Sequence, residues 1–410
     1  MGALLAAAPG AAAAQVALLS PETIHAVVDL RAAAANGEPS FADEGFGKAI
    51  YGGDGSKALK GRLDLALAAL EWTPRLGWDW SAVVDVVNQP DQEHPVDLAQ
   101  AYAVFKPTPR SDTRFQARFG YFYPPISLEH DRRVWGLTDV ITPSAINSWI
   151  GEEVKVVGAE ATISRQGGLG RVAATGALFG FDDTAGTLLS FRGWAFDDRQ
   201  GQLMGSFPLP PRSPFFARAQ GDDTYTTLEI DHRGGYYAKL EWAPADWPVT
   251  LEGLHYDNRG DRRAVTPPEQ WAWATNFTDF GATARIGEHT RLRAQGLWGR
   301  TQFGFQTPKG IWVDVIFRSA YLSATQDIGK GSLTLRGDIF DTHDRTMAFS
   351  DDKNEHGWGV TAAWRRPLTR HLDLRLEALH VESTRPARSL AGEGPGQSQT
   401  VLQSSLRFSM

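Results

Sequence analysis

The residues of this chain best placed to do chemistry are its arginines and carboxylates, because they recur at every second position of short segments. Arg114 and Arg118 alternate with Phe115, Ala117 and Phe119, and Arg291 and Arg293 with Leu292 and Ala294. Arg336 stands between Leu335 and Gly337, Arg365 follows Trp364, and Arg375 stands between Leu374 and Leu376. Asp64, Asp79 and Asp85 hold the same register in two earlier segments, and Asp338, Asp373 and Glu377 hold it beside the arginines. Arg192 joins the set if Thr187–Phe196 is a strand. Side chains two apart on a strand share a face. A ring of such faces around water sets a field that selects ions, and an excess of arginine favours anions. The plainer alternative is that these charges only solvate a wet interior and pair across strands.

Catalytic constellations are sparse. His130-Asp131 and His343-Asp344 are His–Asp pairs, but neighbours on a strand face opposite ways and neither has a recognisable nucleophile beside it. No HExxH, GxSxG or phosphate-loop motif occurs. Gly167–Gly170 lacks the following Lys-Ser/Thr and reads as a turn. Asp351–Glu355 offers oxygen ligands without the spacing of a known cation loop. Asn276-Phe277-Thr278 matches a glycosylation sequon. The chain has no cysteine, which excludes disulfides and thiolate chemistry. No catalytic residue, metal or cofactor is therefore expected. A net charge of −7 gives no reason to expect a nucleic-acid partner.

The elements that must position these charges are strands. From about Thr23 to the end, apolar and polar residues alternate over segments of roughly 9–12 residues, the length of a tilted membrane-spanning strand. The clearest are Ala58–Trp72, Trp78–Val87, Arg114–Tyr123, Gly235–Trp242, Arg291–Trp298, Ser332–Phe340, Gly357–Arg365 and Leu372–Leu379. In Ala58–Trp72, Leu59, Gly61, Leu63, Leu65, Leu67 and Ala69 are expected on one face, opposite Lys60, Arg62 and Asp64. Mean hydropathy is −0.30, and no run of about 18 apolar residues marks a membrane helix. Trp72, Trp78, Trp242, Trp247 and Trp364 stand at segment ends beside short turns, where interfacial girdles form.

Connections alternate in length. Short ones are expected at Thr73–Gly77, Pro107–Thr113, Arg165–Gly170, Pro244–Pro248, Gly287–Thr290, Asp327–Gly331 and Pro367–His371. Longer ones are expected at Ala33–Lys57, Pro124–Gly151, Asp257–Glu269, Phe303–Gly310, Thr342–Glu355 and Ser383–Ser398. The pattern predicts an all-β, closed transmembrane antiparallel barrel of 16–18 strands, 18 if Thr187–Phe196 counts and 16 if it does not. The long stretch Asp197–Asp223 breaks the alternation. Residues 1–14, Ala-rich and ending at Ala14, read as the remnant of a signal peptide, and 15–410 as a single barrel.

The closing segment T-V-L-Q-S-S-L-R-F (Thr400–Phe408) resembles the last strand of outer-membrane barrels. The stretch YFYPPISLEHDRRVWGLTDVITPSAINSWIGEE resembles one in Gram-negative porins, related broadly to the phosphate-selective group. That resemblance implies the outer membrane of a Gram-negative bacterium, surroundings of lipid and lipopolysaccharide, a homotrimer, and passage of small hydrophilic solutes. It also implies that 124–151, the third long connection, can fold into the lumen as a constriction loop. Its charges would be Glu129, His130, Asp131, Arg132, Arg133 and Asp139, with Glu152 and Glu153 just beyond. A surface loop is the alternative reading of that segment. For the whole chain the alternatives are a barrel-embedded hydrolase and a plugged structural or adhesive barrel.

Overall fold

A computed structural model describes residues 18–410 except 91, 347, 348 and 350; the leader expected at 1–14 lies outside the described residues. Sixteen antiparallel strands close into one barrel. They are β1 (Ile24–Ala35), β2 (Lys60–Trp72), β3 (Trp80–Asn88), β4 (Val96–Phe105), β5 (Thr113–Phe122), β6 (Val156–Gly167), β7 (Gly170–Gly180) and β8 (Gly235–Ala243). The second half comprises β9 (Val249–Asp257), β10 (Ala274–Ile286), β11 (Thr290–Thr307), β12 (Gly310–Ile328), β13 (Gly331–Asp344), β14 (Glu355–Pro367), β15 (Leu372–Thr384) and β16 (Gly396–Ser409). Each strand pairs with its sequence neighbours, and β16 closes on β1 from Val27↔Ser409 to Ala35↔Val401. Closure removes the two free edges of an open sheet, although β2 meets β3 only from Ala68↔Asn88 to Trp72↔Val84, so Lys60–Leu67 pair with β1 alone.

The alternation sets two faces. Along β13, Leu333, Leu335 and Ile339 are exposed outward while Ser332, Thr334, Arg336, Asp338 and Phe340 are buried inward. Leu63, Leu178, Leu240 and Leu322 continue the outer apolar surface on other strands. Trp78 (73 % exposed) and Trp247 (69 %) stand out from the rim of short turns. The inner face is filled by side chains of strands and loops, and the main apolar core sits there around Trp149, Trp194, Phe277 and Phe317.

Both termini of the barrel and all seven expected short turns lie on one rim. The other rim carries loop one (36–59), loop two (89–95), loop three (123–155) and loop four (181–234), among others. Three expectations need correction. The barrel has sixteen strands, the lower end of the expected 16–18, and the count of eighteen falls because Thr187–Phe196 is no strand. Its apolar residues Leu188, Leu189 and Phe191 do not alternate, and Gly186 and Gly193, both at positive φ, bracket one helical turn, α2 (Thr187–Phe191). That places Asp197–Asp223 inside loop four, on the long-loop rim. Phe303–Gly310 is no long loop either, since β11 and β12 run on to a turn at 308–309. Finally, a bulge in β2 shifts the register from Asp29↔Leu67 to Leu30↔Leu65. The extra residue turns Leu67 and Ala69 inward, away from the face shared by Leu63 and Leu65.

Candidate functional site

The inward charges meet the loops, and loop three is held by most of them. It leaves the wall at β5 and returns at β6, yet its side chains bond to strands across the interior. Helix α1 (Ala145–Glu153) lies within it, capped by Ser144 and buried along its whole length. Arg336 on β13 donates to Asp338 at 2.8 Å, to Glu129 at 3.1 Å, and to the carbonyls of Thr142 and Pro143 at 2.8 and 2.9 Å. Glu129 in turn accepts from Ser144 N at 2.8 Å and Asn147 at 2.7 Å. On β15, Glu377 accepts the backbone N–H groups of Ile141 and Thr142 at 2.6 and 3.1 Å. On β11, Arg291 and Arg293 bind Asp139 at 3.0 and 2.9 Å, and Arg293 reaches Asp131 at 2.7 Å. Bidentate and charge-assisted bonds of this kind fix geometry as well as adding energy.

Arg118 binds Glu160 through two bonds of 2.7 and 2.9 Å and lies 4.0 Å over the Phe122 ring. Arg365, Arg132 and Arg375 gather around Asp373, at 2.9, 3.2 and 3.8 Å. Arg133 pairs with Glu71. Asp64 and Asp85 face inward, Asp85 accepting from Gln100 at 2.8 Å. Arg114 is exposed at the short-turn end of β5. Two placements differ from expectation. Asp79 lies in the β2–β3 turn, where Pro74 and Gly77 delay the strand, so it lines no wall. Arg192 ends α2 in loop four and is buried there against Glu152 of loop three at 2.8 and 2.5 Å.

Glu153 receives N–H groups from Trp149 at 2.7 Å and Leu188 at 2.8 Å, so it ties loop three to loop four. Burial nevertheless pushes its carboxyl up to about 7. His130 shares a 2.7 Å hydrogen bond with Ser127 Oγ and stacks on Trp135, 4.2 Å between centroids. That Ser–His contact is a turn of the chain, because Ser127 Oγ also accepts the N–H groups of Glu129 and His130. Among the described residues no carboxylate hydrogen-bonds the far nitrogen of His130, so the orienting member of a hydrolytic triad is missing. His343 and Asp344 face opposite ways, and Asp351 and Glu355 are spent on Lys353 and Lys48. Asp183, Glu229 and Asp231 could together hold a cation, but each already closes loop backbone through N–H groups.

Burial lowers the His130 pKa to about 4, against the opposing pull of Glu129 and Asp131. A histidine whose folded pKa is depressed contributes stability that is present above its ordinary value near 6.5 and lost as pH falls through the folded value. Acidification from pH 7 to 4 is therefore expected to loosen the 127–135 turn and change Trp135 fluorescence. His130→Gln should flatten that change; an unaltered titration would contradict it.

No family model and no curated protein matches this chain. Solved structures do. The outer membrane channel DcaP of Acinetobacter baumannii aligns over 99 % of this chain and 100 % of its own at TM-score 0.58 and 11 % identity. The fold is that of an outer-membrane porin. The anion-selective porin from Comamonas acidovorans shares this porin fold over 95 % of this chain and 99 % of its own, at TM-score 0.55 and 12 % identity. So does a loop-deletion mutant of OmpT, an outer membrane protein of Vibrio cholerae, over 95 % and 99 % at TM-score 0.53 and 7 % identity.

Within this porin fold, sequence reading missed several interior charges, among them Arg407, Arg31 and Lys48. Arg407 stands in L-R-F of the last strand, one position from the apolar face that drew attention; it faces inward and pairs across from Asp373. Arg31 lies in an alanine-rich strand and binds Asp29 at 3.1 Å and Asp198 of loop four at 2.7 Å. Its register beside Asp29, two residues away, was the available signal. Lys48 of loop one is buried, donates to the Trp194 carbonyl at 3.0 Å, and has its pKa lowered to about 8 by desolvation. No strand periodicity marks it.

Proposed function

We propose that this chain is a diffusion channel of the Gram-negative outer membrane, passing small hydrophilic solutes and preferring anions. The apolar outer face and charged inner face support the membrane setting. The long-loop rim would then be extracellular and the short-turn rim periplasmic, and loop three would act as the constriction loop. The observation that carries the anion preference is the crowding of Arg132, Arg365 and Arg375 around the single carboxylate of Asp373, with Arg407 beside it. Three guanidinium groups thus share one carboxylate, and Arg375 Nε has no hydrogen-bond partner; such an excess of positive charge raises the local concentration of anions. Lipid and lipopolysaccharide as surroundings and a homotrimer as the assembly are part of this proposal, on the porin resemblance of the sequence.

The test is the reversal potential across a planar bilayer in a KCl gradient. The wild type should favour chloride, and Arg375→Gln with Arg407→Gln should move the potential toward zero or reverse it. A cation-selective wild type would overturn the anion preference. A plugged barrel is the second reading, favoured by how fully loops one, three and four pack the interior.

A further inference from the structure

Two polar cavities lie along this part of the wall, the upper against β1, β2 and the loop end of β3, the lower against β2–β5. The upper, of about 60 Å³, is lined by Arg31, Tyr51, Arg62, Asp64, Gln89 and Asp198. The lower, of about 400 Å³, is lined by Glu71, Gln100, Tyr102, Arg118, His130 and Arg133, among others. Between them the wall changes character. Val27, Leu67, Ala69, Val87 and Ala99, from four successive strands, form an apolar patch, and Val134 of loop three packs into it with 2 % exposure. The β2 bulge is what turns Leu67 and Ala69 into this patch.

Val134 is held there against its own backbone preference. Its φ is +54° and that of Trp135 is +50°. A β-branched residue in the left-handed region is strained, and such strain persists only where the surroundings impose it. Here the surroundings are identifiable. Trp135 stacks on Tyr123 at 3.8 Å and on His130 at 4.2 Å. The Val134 carbonyl accepts from Gln200 Nε2 of loop four at 3.1 Å, and the Gln200 carbonyl accepts from Gln89 at the end of β3 at 2.7 Å. Arg132 and Gly136 pair back-to-back across the turn.

Loop four therefore does more than cover the mouth. It leaves β7, meets β14 where the Trp194 N–H donates to Glu355 at 3.0 Å, and meets β1 where Asp198 binds Arg31. It then meets β4, where the Leu203 N–H donates to the Leu98 carbonyl at 3.0 Å, and returns at β8. Its Gln200 clamps the strained turn from this circuit.

We propose that Val134 is a hydrophobic gate in the passage, seated in the Val27–Leu67–Val87–Ala99 patch and held closed by Gln200 of loop four. This rests on the channel reading above. A short apolar neck between two wet cavities resists filling with water, and ions do not cross a dry neck. Withdrawal of loop four frees the Val134 carbonyl, and the strain stored in the turn favours its departure from the patch.

The experiment is single-channel recording in planar bilayers on the wild type, Val134→Ser, Val134→Gly, Val134→Leu and Gln200→Ala. Folding of each is checked by the shift of its SDS-gel band on heating. Serine wets the neck without enlarging the residue, and glycine removes both the plug and the strain. Both should raise mean conductance by about threefold or more. Gln200→Ala should raise the fraction of time open, and Val134→Leu should lower current. Serine and glycine variants that fold and conduct like a conducting wild type would overturn the gate and leave the channel reading standing. Folded variants that all carry no current, like the wild type, would overturn both.

Discussion

Arg336→Ala is expected to lower the unfolding free energy by about 3–5 kcal/mol, the cost of leaving buried charges without their partner. The side chain is fully enclosed and joins β13 to loop three through Glu129, Asp338 and the carbonyls of Thr142 and Pro143. Alanine strands the Glu129 and Asp338 carboxylates, so the loss exceeds that of the pair itself. Arg336→Lys should recover little, because a single ammonium cannot reach acceptors spread around a planar fork. Loop three should also lose its far anchor, giving larger and noisier currents and faster proteolysis within 123–155. Urea unfolding in detergent or vesicles, with recording on the same sample, checks both parts. A loss under about 1 kcal/mol, within the range of surface ion pairs, would mean that the loop is held elsewhere.

Leu335→Arg tests the other face of the same strand. Leu335 is 56 % exposed, points outward, and sits opposite Ala324 and Ala362 of the neighbouring strands. If lipid surrounds the barrel there, an arginine costs about 2–4 kcal/mol at the bilayer midplane. In water the same change would cost next to nothing, within about 0.5 kcal/mol. The comparison substitution is Gln116→Arg, on a half-buried inward position of β5 beside Arg118, where the lumen rather than lipid must accept the charge. A large cost at 335 with a smaller one at 116 places the hydrocarbon outside the wall. Equal costs would remove the basis for assigning these faces.

The barrel was legible because its signal is repeated. Period-two alternation in β13–β15 puts Leu335, Trp358 and Leu374 on one side and Arg336, Thr361 and Arg375 on the other, and no local context reverses it. The short turns were legible for the same reason, since Pro and Gly stand where strands stop. Loop four was not. Its segments are neither periodic nor capped in a recognisable way, and they take their form from residues far along the chain: Arg192 from Glu152, Asp198 from Arg31, Trp194 from Glu355. Thr187–Phe196 read as a strand because it is apolar and about the right length, which period alone does not separate from a buried helical turn. The bulge at Ala66 was invisible for a related reason. Either register of Leu65–Ala69 gives a plausible apolar face, and only pairing with Asp29 and Leu30 selects one.

In the interior, the identities of the charges were readable but their partners were not. Arg291, Arg293 and Asp139 were all candidates, yet nothing in sequence separates a loop that crosses the lumen from one that faces outward. Arg407 escaped because its strand was read for its apolar side.

Water and ions are expected to cross this barrel. Single-channel recording of the purified, heat-modifiable wild type in a planar bilayer tests it most directly. Discrete current steps are expected, small in the wild type, larger in Val134→Ser, and chloride-selective in both. A folded barrel that stays silent in the wild type, in Val134→Ser and in Arg336→Ala alike would contradict it and leave a plugged barrel in its place.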